Sequence, residues 1–312
     1  MKLELPSGRE MLWMVAVIVF YFTMTQLFIG LRTEHFLLTG VFLILFLPTK
    51  ATRKLGVALL PFALFGMSYD WMRVFPNYEM NAIDVQALYD AEKSLFGFVQ
   101  QGITVTPCEY FATHHHTFAD VLAGIFYLCW VPVPMAFGVW LYLTGKRQVF
   151  LRFSLAFLLV NLIGFAGYYI HPAAPPWYVM KYGLKPILGT PGNVAGLGRF
   201  DNWLGIPVFH SIYGRNSNVF AAVPSLHSAY MVVTLTYAVI SKQNKGLLAL
   251  FAVIMCGIWW TAVYTAHHYI IDVLLGILCA LLGMFVFEKG VMRWKLFRRF
   301  FDGYYGYIKK ST

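Results

Sequence analysis

Long apolar stretches recur along the chain, and the polar residues gather between them. A helix needs about 20 mainly apolar residues to cross a bilayer. Because unpaired backbone groups are not tolerated in hydrocarbon and no alternating strand pattern is present, each stretch is predicted to be a helix. The second stretch is short, so a re-entrant segment stays open as an alternative there. The eight stretches are about 11–31, 35–48, 55–72, 118–143, 149–170, 220–240, 246–265 and 269–287.

The composition also indicates a protein located in lipid. Hydrophobic residues make up 59% and charged residues 12% of the 312 positions, whereas soluble domains contain about 45–50% apolar and about 25% charged residues. A soluble enzyme, a disordered chain and a disulfide scaffold are excluded on this ground. The sequence therefore predicts an all-α, polytopic membrane helix bundle with about eight transmembrane helices.

The distribution of charge predicts how the bundle is oriented. Most of the 24 Lys and Arg residues fall on one side of the membrane if the N-terminus is cytoplasmic, and cytoplasmic loops are the ones enriched in these residues. Two long segments, about 73–117 and 171–219, then lie outside and are expected to form ordered caps. No basic stripe occurs outside the C-terminal tail, so nucleic-acid binding is not expected despite the net charge of +10.

His268 and Asp272 are candidates for joint chemistry at the outer edge of the last span. Their spacing of four places them on one face if both belong to the same helix. An aspartate bound to one ring nitrogen fixes the tautomer and makes the other nitrogen a better nucleophile. A purely structural His–Asp pair is the alternative.

A second histidine, His227, lies at the same predicted level of the membrane. It belongs to the sequence Pro-Ser-Leu-His-Ser at 224–228, which opens the sixth span. Ser225, Leu226 and Ser228 surround it, and the free backbone N–H groups of such a helix start can bind phosphate. The alternative is a helix cap that contains a polar histidine.

Two histidines and an aspartate at one membrane face indicate phosphoryl transfer through histidine. In this hypothesis His268 attacks phosphorus, while His227 protonates the leaving alkoxide and then deprotonates the incoming hydroxyl. Backbone N–H groups and cationic side chains could hold the phosphate oxygens, so neither a metal ion nor another cofactor is expected.

These motifs resemble those of the type 2 phosphatidate phosphatase superfamily, P-S-G-H and S-R-x5-H-x3-D. The sequence has P-S-L-H at 224–227 and H-x3-D at 268–272. Leu226 replaces the usual glycine, and Thr-Ala at 261–262 stands where Ser-Arg would be, so the phosphate-binding arginine of the family is missing.

The same departures resemble one branch of the superfamily, the inositol phosphorylceramide synthases. The P-S-L-H-S form, H-H-Y at 267–269 and P-P-W-Y at 175–178 carry this likeness. It implies transfer of a phosphoinositol head group from phosphatidylinositol to ceramide, with release of diacylglycerol. It also implies that His268 and Asp272 are the nucleophile and its orienting acid, and that His227 is the acid and base.

The resemblance further implies a division of the chain. Residues 55–288 would form a six-helix catalytic core, 1–54 N-terminal transmembrane helices and 289–312 a basic cytoplasmic tail. The site would face the periplasm in a bacterium, or the lumen of the Golgi or endoplasmic reticulum in a eukaryote. Homo-oligomers and accessory subunits stay open.

The missing arginine leaves the phosphate-binding side chain unassigned. Arg215, Arg73, Tyr69 and His171 lie on the predicted outer side and are candidates for binding phosphate or substrate. Two alternatives to the synthase remain: a lipid phosphate phosphatase of the same fold acting on a phospholipid or isoprenoid phosphate, and a non-catalytic lipid transporter or scaffold.

Overall fold

The structure is a computed structural model that describes residues 3–214 and 218–309. Helices dominate these residues, and they form the all-α membrane bundle that the sequence predicts. A short antiparallel hairpin joins β1 (Phe98–Gln100) to β2 (Ile103–Val105). The helices are α1 (Gly8–Phe28), α2 (Thr33–Phe46), α3 (Lys50–Ala58), α4 (Leu60–Trp71), α5 (Gln86–Phe96), α6 (Pro107–Thr113), α7 (Thr117–Leu128), α8 (Pro132–Leu143), α9 (Arg147–Ile170), α10 (Pro176–Tyr182), α11 (Gly198–Leu204), α12 (Val208–Tyr213), α13 (Leu226–Ile240), α14 (Lys245–Tyr264), α15 (Ile270–Phe285) and α16 (Lys295–Ile308).

Four helices of the described chain are long and apolar enough to cross a bilayer. They are α1, α9, α14 and the continuation of α15 through Ile270–Arg293. The pair α7 and α8 passes the same criterion as one span with a 41° bend. Pro132 at the start of α8 has no N–H to continue the preceding helix, which accounts for the bend in the fourth apolar stretch. The apolar α2 and α13 are shorter, and the count of eight spans stays a prediction.

Two predicted spans differ from the helices that form. The stretch 55–72 is divided between α3 and α4 at Leu59, because Pro61 lacks the N–H that would bond back into α3. The stretch 220–240 becomes helical only at Leu226. Before it the backbone pairs with the segment after α9, and the Ala173 N–H donates to the Phe220 carbonyl at 3.0 Å. Apolar length alone cannot distinguish such a paired segment from a helix.

Two hydrophobic cores meet at the level where α13 and α15 begin. The membrane core packs α9 against α4, α8, α13 and α15. The second core lies under the two long segments that are predicted to be outside, and it includes Leu88, Tyr178 and Phe209. Asn77 ties these parts together, since its buried amide donates to the carbonyls of Tyr168 and Phe220 at 2.7 and 2.9 Å. The outer segments therefore form a packed cap on one end of the bundle.

The opposite end carries the amphipathic helix α16. Phe301 and Ile308 are buried from this helix, and the Tyr304 hydroxyl donates to the Val57 carbonyl at 2.6 Å. The Arg147 guanidinium donates to the Ile308 carbonyl at 2.6 Å. The tail therefore docks on α3 and α9 at the end of the bundle away from the cap.

Candidate functional site

The first turns of α13 and α15 touch beneath the cap. A Cβ built on Gly276 would lie 2.0 Å from the Ser225 carbonyl oxygen, so no larger residue fits at this contact. The Ser225 N–H donates to the Asp272 carbonyl at 3.0 Å. This backbone contact places the residues after Ser225 beside the residues before Asp272.

His227, His268 and Asp272 form a continuous hydrogen-bonded chain at that contact. His227 Nδ1 lies 3.1 Å from His268 Nε2, and His268 Nδ1 lies 3.3 Å from Asp272 Oδ2. Asp272 is fully buried and His268 is 6% exposed, whereas His227 is partly exposed. A carboxylate can only accept, so His268 Nδ1 carries the proton and its Nε2 presents a lone pair toward His227.

His268 does not belong to the helix that carries Asp272, contrary to the premise of the spacing argument. Helix α15 begins at Ile270, and His268 stands in the turn before it. The two side chains still meet because the Asp272 carboxylate reaches back across the start of the helix. Its Oδ2 also accepts the Tyr269 N–H at 2.9 Å, as acidic residues in a first helical turn often do.

Two cap residues, both from the first long segment, hold this turn. The buried Glu92 carboxylate accepts the N–H groups of Ile270 and Ile271 at 3.0 and 3.1 Å. The buried Cys108 thiol donates to the His268 carbonyl at 3.4 Å. Neither residue is predicted from the sequence to belong to the site. A signal was present for Glu92, which follows Leu88 by four and so lies on the same face of α5 as that buried leucine.

A cavity of about 180 Å³ opens above the histidine pair. Its polar end is formed by His227, His267 and His268, and the His227 ring meets the edge of Trp130 at a centroid distance of 4.4 Å. The remaining wall is mainly aromatic. Its members include Phe65, Tyr69, Trp130, Phe165, Tyr168, Trp177, Tyr213 and Tyr230. Such a half-apolar cavity suits a molecule with one polar and one lipidic end.

The predicted residues around His227 divide into two groups. Leu226 lines the cavity and packs on Gly164 of α9, where a Cβ would lie 2.4 Å from the leucine Cδ2. Ser225 and Ser228 are fully buried, and the Ser228 hydroxyl donates to the Ser225 hydroxyl at 3.1 Å. These two serines lie outside the cavity lining. The leucine in the place of the family's glycine therefore closes the wall against α9.

The other residues predicted to bind phosphate or substrate also differ in whether they line the cavity. Tyr69 lines the cavity, whereas Arg73 and His171 do not. Arg73 Nε lies 3.2 Å from Asp70 Oδ1, and Asp70 also binds Arg32 and His35 of the N-terminal helices.

His171 Nε2 lies 3.2 Å from Asp84 Oδ2 and is half-exposed. Arg199, another cation of the cap, lies with its Nε 2.6 Å from Asp120 Oδ1. Arg215 lies outside the described residues. The described arginines named here thus engage acids away from the histidine pair.

Three consecutive histidines at 114–116 have separate local partners. His114 Nε2 lies 3.1 Å from the Gln100 amide, and His115 Nδ1 lies 3.5 Å from Asp120 Oδ2. The His116 ring accepts the Ala119 N–H at the start of α7. In residues 3–214 and 218–309, no group of three or more His, Cys, Asp or Glu side chains is placed to hold a metal ion.

A helical membrane bundle with paired histidines, an orienting aspartate and a half-apolar cavity defines a lipid phosphatase or phosphotransferase class of membrane protein. The chain belongs to the PAP2 superfamily, whose family model matches residues 86–286. This match lies within the predicted core at 55–288. The division of the whole chain stays a prediction.

Three curated relatives are similar to the chain over different lengths. The chain is 63% identical over 305 residues to phosphoinositol dihydroceramide synthase of Bacteroides thetaiotaomicron, covering 98% of this chain and 100% of the relative. It is 30% identical over 231 residues to inositol phosphorylceramide synthase catalytic subunit AUR1 of Saccharomyces cerevisiae, covering 72% of this chain and 55% of the yeast protein. Inositol phosphorylceramide synthase of Candida albicans is 31% identical over 183 residues, which cover 54% of this chain and 37% of the relative. No solved structure matches the chain significantly.

Proposed function

We propose that this protein is an inositol phosphosphingolipid synthase. It transfers the phosphoinositol group of a glycerophospholipid, phosphatidylinositol, to ceramide or dihydroceramide and releases diacylglycerol. The full-length similarity to a phosphoinositol dihydroceramide synthase supports the substrate class. The observation that carries the chemistry is the hydrogen-bonded chain from His227 through His268 to Asp272 at the polar end of the cavity.

The first half-reaction forms a covalent histidine intermediate. Asp272 holds the His268 Nδ1 proton, so the Nε2 lone pair attacks the phosphorus of the phosphodiester. The bond from phosphorus to the diacylglycerol oxygen breaks, and His227, which enters this step as the imidazolium ion, gives that oxygen a proton and becomes neutral. Phosphoinositol is then bonded to His268, and diacylglycerol leaves.

The second half-reaction reverses the proton movements. His227 removes the proton of the ceramide primary hydroxyl as its oxygen attacks phosphorus. The bond between phosphorus and His268 Nε2 breaks, and the nitrogen recovers its lone pair. One residue thus serves as acid and then as base.

Substrate binding requires the two rings to separate. Their nitrogens are 3.1 Å apart, which leaves no room for a phosphorus atom between them. His227 is the more exposed ring, while His268 is held by Asp272 and by the turn. His227 therefore moves, and His268 keeps its place.

A transfer assay with purified protein tests the function. Phosphatidylinositol labelled in the inositol ring is incubated with ceramide or dihydroceramide, and labelled sphingolipid and water-soluble label are measured. We expect label in the sphingolipid, loss of this transfer in His268→Ala, and at least about 100-fold slower transfer in Asp272→Asn, which favours the wrong tautomer. His114→Ala, an exposed histidine of the cap, is the matched control and should retain transfer.

Two results would contradict the synthase. Water-soluble inositol phosphate without labelled sphingolipid would make the protein a hydrolase. Absence of both products from the wild type and His268→Ala alike would favour a lipid transporter or scaffold.

A further inference from the structure

His267 is a buried side chain that the proposed mechanism does not use. It is 4% exposed and lines the cavity beside His227 and His268. Its Nε2 is buried and has no hydrogen-bond partner among residues 3–214 and 218–309. A buried polar atom without a partner costs about 1–3 kcal/mol, so an unpartnered nitrogen on a side chain that lines a cavity calls for a ligand.

The hydrogen bonds of Thr265 determine which proton His267 carries. The Thr265 hydroxyl donates its one hydrogen to the Thr261 carbonyl at 2.7 Å. Its oxygen lies 3.0 Å from His267 Nδ1 and must therefore accept from that nitrogen. The proton of the neutral ring is thus on Nδ1, and Nε2 presents a lone pair.

The surroundings keep this ring neutral and in place. Burial lowers the pKa of His267 to about 3, so the ring does not gain a second proton near neutral pH. The Tyr213 ring packs against it at a centroid distance of 4.5 Å, and the Tyr127 ring at 5.5 Å. The neutral His267 ring therefore has one free acceptor, Nε2, and its only ring N–H is used by Thr265.

An acceptor discriminates between the parts of a phospholipid. A phosphate oxygen has no hydrogen to donate, so it cannot satisfy Nε2, whereas an alcohol can. We propose that His267 Nε2 accepts a hydrogen bond from a substrate hydroxyl and thereby selects a hydroxyl-bearing substrate beside the reacting phosphorus. This proposal rests on the proposed function. The hydroxyl belongs either to the inositol ring of the donor or to the sphingoid base of the acceptor.

Two variants distinguish the effect of the hydrogen-bond acceptor from the effect of the ring. His267→Phe keeps a ring of similar size and removes the acceptor. His267→Gln keeps an oxygen near the position of Nε2. We expect His267→Phe to lose about 3- to 10-fold in kcat/KM, the range for one neutral hydrogen bond, mainly through KM. His267→Gln should recover part of this loss, and both variants should keep the wild-type pH profile.

Two kinetic arms identify which hydroxyl is bound. The donor arm measures the burst of diacylglycerol from phosphatidylinositol without acceptor. The acceptor arm compares dihydroceramide with its 3-deoxy analogue. An inositol contact predicts that His267→Phe weakens the burst and affects both acceptors equally. A sphingoid contact predicts an unchanged burst and a smaller preference for dihydroceramide over the analogue.

The outcomes are distinct from those of the function test. Wild-type protein without transfer would refute the proposed function itself. Wild-type transfer with unchanged constants in a folded His267→Phe would overturn the role of His267 alone. An equal loss in both arms, with a lowered melting temperature and no recovery in His267→Gln, would assign His267 to structure and overturn the proposal.

Discussion

At the residue scale, the buried acid Glu92 binds the start of α15, next to the turn that carries His268. Its carboxylate accepts two N–H groups at the start of α15, where the helix dipole favours negative charge. Burial opposes the charge and raises the pKa of Glu92 above its ordinary value of 4.5. Cys108 and Asp272 are the ionisable neighbours of this carboxylate. The two N–H hydrogen bonds lower the pKa of Glu92 and burial raises it, and the effect of burial is the larger.

The raised pKa of Glu92 predicts a pH-dependent stability. Between the ordinary and the raised value the folded protein holds a proton that the unfolded chain has lost, so stability falls as pH rises through this window. Glu92→Gln has no such proton. We expect its melting temperature, relative to wild type, to rise with pH above about 4.5 in thermal unfolding of the detergent-solubilised protein.

Glu92→Ala and Glu79→Gln are the matched comparisons. Glu92→Ala leaves two N–H groups without their acceptor and should be less stable than Glu92→Gln at every pH, by about 1–3 kcal/mol. Glu79 is exposed on the same outer segment, so Glu79→Gln should follow the wild type. A difference in melting temperature between Glu92→Gln and wild type that stays constant with pH would show that burial does not raise the pKa of this carboxyl group.

At the element scale, the site depends on one close approach between α13 and α15. Gly276 permits it, because the Ser225 carbonyl occupies the space of a Cβ. Asp272 lies one turn earlier on the same helix. Moving α13 and α15 apart at Gly276 therefore changes the distance between His227 and His268.

Gly276→Ala tests this dependence. The added methyl must displace backbone rather than a flexible side chain, which costs about 1–3 kcal/mol. A shift of about 1 Å at a reacting centre can slow a reaction about 100-fold, so we expect transfer to fall by at least about tenfold. Gly66→Ala is the control, since a Cβ there meets no atom within 4 Å. Equal transfer rates in the two variants would show that transfer does not depend on the contact between Gly276 and Ser225.

The sequence predicts some elements well because their signal is local. Proline positions indicate the kink between α7 and α8, and apolar length indicates α9 and α14. The extended segment before Leu226 and the turn that holds His268 were missed, because pairing with distant backbone determines both. Local periodicity contains no information about such partners.

The candidate site is likewise only partly predictable from the sequence. The common level of His227 and His268 is predictable from topology, since the sixth and eighth spans begin at the same face of the membrane. The support from Glu92 and Cys108 is not, because these residues lie 178 and 160 positions from the groups that they bind. The lone pair of His267 depends on a hydrogen bond of Thr265, which only coordinates reveal.

At the scale of the whole molecule, the two ends of the bundle differ in charge and in chemistry. The histidine pair and the cap lie where α13 and α15 begin. The other end gathers basic side chains, and Lys146 Nζ donates to the Ser241 carbonyl at 2.6 Å while Lys54 Nζ donates to Lys309 at 2.9 Å. Basic residues gather on the cytoplasmic side of membrane proteins, which supports an extracytoplasmic site as a proposal.

Single cysteines on the two ends test this orientation. Val99 of β1 is 72% exposed on the cap, and Lys245 is exposed at the other end. Val99→Cys and Lys245→Cys are made in a Cys256→Ser background, because Cys256 is exposed, and cells expressing them are treated with a membrane-impermeant maleimide. We expect Val99→Cys to react in intact cells and Lys245→Cys to react only after lysis, while the background protein stays unlabelled. The reverse pattern would place the histidine pair in the cytoplasm, because the cap and the site share one end of the bundle.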